Sequence, residues 1–411
     1  MARVTVPSHA APPSPGTPAW VEVDVGALAH NARVLRRALP AGARLGILVK
    51  ANGYGHGLGI AARAALAGGA DELIVASLAE GLAIRALGID APTLVVYPVL
   101  PEGVADAAAA GLELTISGRG GVAETLGAWA MARDAGAAEM VRLHVEVDSG
   151  MARGGVQPEH LVDAVRSIDA APGAVLAGVW SHLANGRDAR SSSAQRAIFD
   201  AATSALAATG RALPARHVIA TEALFAGTAA AYDLARIGLG FYGELGIGFE
   251  PARAAAALAS ELRPAMTIKA RAVRVEHVAA GGAVGYGGEW VASRASRIAT
   301  LPIGYADGWS RRSWPGGAAL VRGQRVPLVG RVSMDSLCVD VTEIDNLQPA
   351  DEFVLLGAQA GTRISAEEVA IQRGTIPNEV LASLGPRLPR RVVGGPIRPK
   401  RATVSRVSLD S

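Results

Sequence analysis

The sequence predicts an α/β protein in which a (β/α)8 barrel is followed by a mostly β domain. Up to about residue 250, short β-branched runs alternate with longer alanine-rich stretches whose apolar residues have helical spacing. Beyond residue 252 this alternation ends, and strand-like runs follow one another across glycine-rich turns. A length of 411 residues suits two domains of ordinary size.

The barrel prediction depends on counting strand–helix units. Eight runs are predicted as its strands: 44–49, 72–77, 93–97, 113–117, 140–147, 174–181, 216–220 and 234–237. Among the intervening stretches, 80–87, 121–133, 158–168 and 194–209 have helical spacing. Eight such units match a (β/α)8 barrel, whereas a doubly wound open sheet is the competing fold on the same pattern. The run 21–25 precedes the first unit and is free to pair elsewhere.

The second domain is predicted because the alternation of strands and helices gives way to successive strands. Its strands are expected at 267–277, 297–303, 319–321, 325–329, 336–341 and 352–356, and its helices at 366–372 and 378–384. Residues 1–18 hold five prolines and no apolar segment, which is typical of a flexible tail and not of a signal peptide. We therefore expect a tail at 1–18, a barrel at 19–252 and a β domain at 253–411.

Composition excludes several classes of protein. The net charge is only +3 and basic residues form no long run, so a nucleic-acid partner is not expected. The single cysteine, Cys338, rules out an internal disulfide and a cysteine-rich metal site. Charged residues and prolines interrupt every apolar stretch before about 18 residues accumulate, so no membrane span is expected. These features predict a cytoplasmic enzyme without a metal centre.

Functional groups of a barrel gather just beyond the C-terminal ends of its strands. Those positions hold Lys50, Arg153, His182, Thr221 and Arg236. A lysine directly after an apolar strand is either a rim residue whose ammonium reaches solvent or a desolvated amine suited to covalent chemistry with carbonyls. The sequence alone leaves both readings of Lys50 open.

The loops after strands 7 and 8 are the usual phosphate site of such barrels. Here they supply the hydroxyl of Thr221 and the backbone N–H groups of Gly238 and Leu239. The glycines of 53–57 do not have the spacing of a dinucleotide-binding loop. A lysine amine, a phosphate site and no metal cluster together indicate pyridoxal 5'-phosphate (PLP) as the cofactor.

Seven segments resemble the motifs of one enzyme family. The segment 49–57 reads Val-Lys-Ala-Asn-Gly-Tyr-Gly-His-Gly, which is similar to the cofactor-lysine motif of the alanine racemase family. The resemblance continues, in order, through 148–153, 181–184, 236–243, 284–287, 304–308 and 330–335. It covers nearly the whole chain, and the motifs are specific as a set.

The resemblance implies a two-base mechanism. Lys50 would carry PLP covalently and act as the base on one face of the substrate Cα, and Tyr286 would be the base on the opposite face. His182 and Arg236 would activate this tyrosine through hydrogen bonds. Arg236 would also face the pyridine nitrogen of PLP, and because a guanidinium only donates, that nitrogen would stay unprotonated.

Further roles also follow from the resemblance. The phosphate would be held by Tyr54, Thr221, Gly238 and Leu239, and the substrate carboxylate by Arg153 and the backbone N–H of Met334, with Tyr305 nearby. His217 would extend the hydrogen-bond chain of Arg236, although an ordinary core histidine is equally compatible with the sequence. Asp335 is expected to support its neighbour Met334. Members of the family are homodimers in which Tyr286, Tyr305 and Met334 enter the site of the other subunit.

The sequence departs from the family at two positions. Glu146 stands where many members have a carbamylated lysine, and we predict that its carboxylate pairs directly with Arg153. Asn378 stands where the family usually has tyrosine, and its smaller size predicts that serine is accepted as well as alanine.

We therefore expect a PLP-dependent racemase that interconverts L- and D-alanine. The alternatives are a broader serine/alanine racemase, a PLP decarboxylase of the same two-domain plan and a non-catalytic PLP-binding protein.

Overall fold

The computed structural model describes residues 17–228 and 232–395. The predicted tail therefore lies almost wholly outside the described residues. Within them the strands are β1 (Ala19–Asp24), β2 (Arg44–Leu48), β3 (Glu72–Val75), β4 (Thr93–Val95), β5 (Glu113–Ile116), β6 (Val141–Glu146), β7 (Ala174–Trp180), β8 (Ala215–His217), β9 (Leu234–Ile237), β10 (Met266–Arg271), β11 (Arg274–Val278), β12 (Ala283–Val284), β13 (Trp290–Val291), β14 (Ser296–Leu301), β15 (Ala318–Val321), β16 (Gln324–Pro327), β17 (Leu337–Asp340), β18 (Glu352–Gln359), β19 (Thr362–Ile364) and β20 (Arg390–Val393).

The helices of the described residues lie mostly between the barrel strands. They are α1 (Val25–Ala38), α2 (Lys50–Tyr54), α3 (Leu58–Ala67), α4 (Leu78–Ala86), α5 (Val104–Ala109), α6 (Arg119–Asp134), α7 (Leu161–Ala170), α8 (Ala189–Ala207), α9 (Thr221–Ala226), α10 (Ala256–Ser260), α11 (Ala366–Arg373) and α12 (Pro377–Ala382). None of them is long and apolar enough to cross a membrane.

The strands β2 to β9 form the predicted barrel. They are parallel, each of β2 to β8 pairs with the next in sequence, and β9 pairs with β2. Between β8 and β9 the backbone N–H of Asp233 donates to the carbonyl of Arg216, and that of Arg236 to Ile219, both at 2.9 Å. These bonds bring the two ends of the sheet together. The barrel prediction is confirmed, and the open-sheet alternative is excluded.

Strand β1 pairs outside the barrel. It lies antiparallel to β10 and parallel to β20, so the first of the described strands belongs to the sheet of the C-terminal part. Its last residue, Asp24, caps α1 by accepting a hydrogen bond from the backbone N–H of Ala27 at 2.8 Å. The chain thus leaves the second sheet and enters the barrel without a linker.

The C-terminal part is mostly β, as predicted, but its strands are more broken than expected. The main sheet has the order β16-β15-β18-β10-β1-β20, with β19 against β18, and smaller sheets contain β11-β14-β17 and β12-β13. The single strand predicted at 267–277 is wrong: it divides into β10 and β11, which pair in different sheets. The short strands β12, β13, β19 and β20 were not predicted, because runs of two to four residues show almost no periodicity.

Candidate active site

Lys50 begins a strained turn at the C-terminal end of β2. Ala51, Asn52 and Gly53 have φ between 52° and 63°, in the left-handed region that residues with a Cβ rarely adopt. The side chain of Asn52 accepts a hydrogen bond from the backbone N–H of Leu58 at 2.9 Å, which fixes the turn. Such strain persists only where the surroundings impose the conformation, and it is common beside functional groups.

The environment of Lys50 favours its neutral amine. Burial lowers its pKa, and the nearby positive charge of Arg153 lowers it further, whereas Glu80 acts in the opposite direction. The Nζ atom lies 6.0 Å from the ring centroid of Tyr97. Sequence reasoning missed both Glu80 and Tyr97, although Tyr97 ends a predicted barrel strand and so carried the same positional signal as Lys50. A neutral amine is the form that attacks carbonyls and accepts protons.

The predicted phosphate residues lie together. A Cβ placed on Gly238 would stand 2.6 Å from the hydroxyl oxygen of Tyr54, and one on Gly240 would stand 2.9 Å from the methyl carbon of Thr221. The Thr221 hydroxyl accepts a hydrogen bond from the backbone N–H of Gly240 at 3.3 Å. Burial raises the pKa of Tyr54 to about 12, so its hydroxyl remains a donor. The hydroxyls of Tyr54 and Thr221 and the turn of Gly238, Leu239 and Gly240 therefore form one polar site.

Arg236 is buried and held by neutral acceptors. Its Nη1 donates to the carbonyl of His217 at 2.8 Å and to Nδ1 of the same residue at 2.9 Å. Its Nη2 donates to the carbonyl of Ser181 at 2.7 Å and approaches Nδ1 of His182 at 3.4 Å. Burial lowers the pKa of Arg236 to about 10, which still leaves the guanidinium charged at neutral pH.

The guanidinium groups of Arg153 and Arg236 act on the same end of the barrel. Burial, followed by the charges of Arg236, Arg153 and Lys50, lowers the pKa of His182 to about 3, so this imidazole stays neutral. An anionic ligand would relieve the mutual repulsion of these cations. Charge and hydroxyl donors together therefore suit a ligand that carries phosphate and carboxylate groups.

The direct ion pair predicted between Glu146 and Arg153 is not formed. Within the described residues no nitrogen of Arg153 lies within 4.0 Å of a carboxylate oxygen. Burial raises the pKa of Glu146, whereas a hydrogen bond with Ser117 and the more distant charge of Arg153 oppose this rise. The prediction was wrong because Ser117, on the loop after the neighbouring strand β5, takes the position next to the carboxylate.

The three site residues predicted in the C-terminal part lie on its surface and not beside Lys50. Tyr286 is 69% exposed, Tyr305 43% and Met334 54%. The loops of the last two are joined, because the backbone N–H of Ala306 donates to the carbonyl of Met334 at 3.0 Å. Asp335 forms an ion pair with Arg387 at 2.8 Å. Among the described residues, no hydrogen bond, ion pair or ring contact connects the three exposed side chains to the barrel site.

Asn378 lies on the helix that supports the turn after Lys50. It is half-buried in α12, and a Cβ on Gly55 would stand 2.0 Å from the carbonyl oxygen of Leu381 in the same helix. This close approach requires glycine at position 55, whose φ is 79°. The second departure from the family motifs therefore lies on a helix that packs against the turn after Lys50.

Two family models match the chain in succession. The alanine racemase N-terminal domain matches residues 23–246, and the alanine racemase C-terminal domain matches residues 265–392. The chain belongs to the alanine racemase family. Curated alanine racemases agree: that of Syntrophobacter fumaroxidans is 37% identical over 368 residues, covering 89% of this chain and 95% of its own. Alanine racemase 2 of Bacillus subtilis is 36% identical over 375 residues, covering 90% and 93%.

Solved structures of alanine racemases share the fold. The enzyme of Bacillus anthracis with bound L-Ala-P has a TM-score of 0.83 and 31% identity, covering 92% of this chain and 96% of its own. The enzyme of Bartonella henselae with covalently bound pyridoxal phosphate has a TM-score of 0.77 and 27% identity, covering 92% and 100%. The predictions of an alanine racemase family member with PLP as its cofactor are confirmed, which disfavours the decarboxylase and the non-catalytic carrier.

Proposed function

We propose that the protein interconverts L- and D-alanine and uses Lys50 and Tyr286 as its two bases. The assignment of Lys50 depends on its position. Its amine, whose pKa is lowered, lies just beyond the C-terminal end of a barrel strand. The nearby guanidinium groups and hydroxyls suit an anionic ligand. The activity would supply D-alanine from the L-isomer, or consume it.

The donor set fits PLP. Tyr54, Thr221 and the turn at Gly238 and Leu239 would hold its phosphate, and Arg236 would donate to its pyridine nitrogen. When bound through Lys50, PLP supplies the electron sink that stabilises negative charge on the substrate Cα. Because the guanidinium of Arg236 donates hydrogen bonds but does not transfer a proton, the pyridine nitrogen would stay an acceptor, which would limit how far that charge spreads into the ring.

The protein's own groups move the proton. Racemisation requires that a proton leaves one face of Cα and returns to the other, so two bases must stand on opposite sides. The amine of Lys50, whose pKa is lowered by burial, serves one face, and the phenol oxygen of Tyr286 serves the other. His182, held beside Arg236, is neutral and would orient the tyrosine through a hydrogen bond. Arg153, with the N–H of Met334 and the hydroxyl of Tyr305, would fix the substrate carboxylate.

The exposed positions of Tyr286, Tyr305 and Met334 support a homodimer with shared sites. Tyr286, at a glycine-rich turn, is 69% exposed and so buries little of its ring against its own chain. In a two-fold dimer the same surface meets its counterpart, so each subunit can complete the site of the other.

One assay and one mapping experiment test this function. Purified enzyme with PLP should abolish the optical rotation of L-alanine without releasing carbon dioxide. Borohydride reduction followed by peptide mass mapping should place the pyridoxyl label on Lys50. Release of carbon dioxide, or a label on another residue, would contradict the proposal.

Mixing two inactive variants tests the shared site. Lys50→Ala and Tyr286→Ala should each be inactive alone, but heterodimers formed by mixing them contain one intact site out of two. About a quarter of the wild-type activity should return if subunits exchange randomly. No recovery, with exchange verified by mass spectrometry, would show that both bases come from one chain.

A further inference from the structure

A row of hydrogen bonds runs from Arg236 into the interior of the barrel. Nη1 of Arg236 lies 2.9 Å from Nδ1 of His217, and Nε2 of His217 lies 3.0 Å from Nδ1 of His144. Nε2 of His144 lies 2.6 Å from Oε2 of Glu113, whose Oε1 accepts from Nε of Arg142 at 2.8 Å. The two imidazoles are fully buried, so no solvent competes for these bonds.

The guanidinium of Arg236 fixes the direction of every bond in this row. Because arginine only donates, Nδ1 of His217 must be an acceptor, and the ring proton of His217 must be on Nε2. Nδ1 of His144 then accepts this proton's hydrogen bond, so the ring proton of His144 is on Nε2 and points to Glu113. A doubly protonated imidazole at either position would place two donors face to face.

Glu113 is the anionic end of the row. Burial disfavours its charged form, but hydrogen bonds from His144 and Arg142 outweigh this effect and hold its pKa at about 2. An ionised carboxylate accepts from both neighbours and cannot donate. Glu113 therefore requires the Nε2–H tautomer of His144 at one end of the row. Arg236 requires the Nε2–H tautomer of His217 at the other end.

We propose that Glu113 and His144 are positioning residues that orient Arg236 through His217. This inference rests on the proposed role of Arg236 at the pyridine nitrogen. The guanidinium has no carboxylate within 4.0 Å among the described residues, so its orientation depends on neutral acceptors, of which Nδ1 of His217 is one. Nδ1 of His217 accepts only while the single ring proton of His217 is on Nε2. Glu113 favours this tautomer because it accepts from Nε2 of His144, which leaves Nδ1 of His144 to accept from Nε2 of His217.

A second buried carboxylate provides a comparison. Glu72 is fully buried in the neighbouring part of the barrel, and neither of its oxygens accepts a hydrogen bond within the described residues. Burial raises the pKa of Glu72 to about 7, so above this pH its charge acts on Arg236 over a distance, whereas Glu113 is not among the charges that shift the pKa of Arg236. If charge alone mattered, replacing Glu72 would disturb Arg236 more than replacing Glu113. The hydrogen-bond row predicts the reverse.

The first test reads the tautomers directly in the unaltered protein. In enzyme labelled with 15N-histidine, with and without PLP, the nitrogen shifts should identify His144 and His217 as neutral Nε2–H tautomers. Assignment would use His144→Phe and His217→Phe samples. A protonated Nδ1 on either ring in the wild-type enzyme overturns the proposal, whatever the catalytic activity. This result is independent of racemisation, so it separates failure of the row from failure of the proposed function.

The second test reads the orientation of Arg236 in the holoenzyme. Glu113→Leu removes the final acceptor, and a misplaced guanidinium should raise the ratio of half-transamination to racemisation at least fivefold. In that side reaction the amino group of alanine passes to PLP, and hydrolysis releases pyruvate and leaves pyridoxamine phosphate. Glu113→Gln retains an oxygen that accepts from His144, and Arg142 is exposed enough to turn to water, so this variant should restore a ratio near the wild type.

Two matched variants complete the second test. Thr115→Val, two residues along the same strand, alters a buried hydroxyl that has no hydrogen-bond partner in the described structure, and it should leave the ratio unchanged. Measured above pH 7, where Glu72 is ionised, Glu72→Gln removes a carboxylate that acts on Arg236 by charge without a hydrogen bond, and it should change the ratio less than Glu113→Leu. An unchanged ratio in folded Glu113→Leu, or a larger change in Glu72→Gln, would refute the positioning role.

Discussion

The ring of Tyr54 stacks on the ring of Tyr242, with centroids 4.8 Å apart and planes 26° from parallel. The hydroxyl of Tyr242 donates to the carbonyl of Leu48 at 2.9 Å, so the supporting ring is fixed to the last residue of β2, two positions before Lys50. Tyr242 thus connects the proposed phosphate-binding hydroxyl to the strand that leads to the proposed cofactor lysine.

Replacing Tyr242 should separate the effect of its ring from that of its hydroxyl. Tyr242→Phe loses one hydrogen bond, worth about 1 kcal/mol, but keeps the stack, so PLP affinity should change little. Tyr242→Ala removes the ring and should weaken PLP binding about tenfold or more, measured by titration of the apoenzyme. Phe199→Ala, a buried aromatic of α8, is the control for general destabilisation and should leave PLP affinity unchanged. Equal affinities in all variants would show that the stack does not position Tyr54.

The role of Glu146 predicts independence from carbon dioxide. Wild-type activity should not respond to bicarbonate, because position 146 holds a glutamate and no lysine that could be carbamylated. Glu146→Lys places a cation near Arg153 and Arg236 and should lower kcat/KM at least about tenfold until bicarbonate is added. Glu146→Gln should also be impaired but should not respond. A bicarbonate response of the wild type, or none in Glu146→Lys, contradicts the expected equivalence of carboxylate and carbamate.

The small side chain of Asn378 predicts activity on serine. We expect kcat/KM for serine above about a thousandth of that for alanine, because room for one hydroxymethyl group decides between such similar substrates. Asn378→Tyr should lower the serine-to-alanine ratio while alanine activity remains. A ratio below this limit in the wild type, or no change in the variant, would remove Asn378 as the determinant.

Burial of His56 predicts a contribution to acid instability. Its Nδ1 contacts the carbonyls of Gly53 and Tyr54, and burial lowers its pKa from 6.5 to about 4. Between these two pH values the unfolded chain binds a proton that the folded state does not. The stability that neutral His56 contributes is therefore fully present above pH 6.5 and is lost as the pH falls towards 4. The full effect is about 3 kcal/mol.

Urea unfolding at several pH values measures this contribution. His56→Asn keeps an N–H donor for the two carbonyls but does not titrate, so its free energy of unfolding should fall less steeply between about pH 6.5 and pH 4. His277→Asn, at an exposed position on β11, should retain the wild-type pH dependence. Parallel curves for wild type and His56→Asn would contradict the prediction.

Sequence reasoning located residues whose position along a strand decides their role. Lys50, Thr221 and Arg236 follow or end barrel strands, and the barrel brings them to one end. Sequence reasoning failed where a residue's role depends on which side chains of neighbouring strands it contacts. Ser117 takes the place next to Glu146 that we assigned to Arg153, and the bond between Glu113 and His144 requires the register of β5 and β6. A linear sequence does not contain that register.

The pairing of β1 has a consequence for how the chain is made. Its hydrogen-bonding edges are completed by β10 and by β20, which ends at Val393, whereas the barrel strands lie between β1 and these two partners in the sequence. During synthesis β1 is made before either partner, so its edge towards β20 stays without its native partner until residue 393 has left the ribosome. All eight barrel strands are made before β10, so the barrel can close before β1 is paired on either edge.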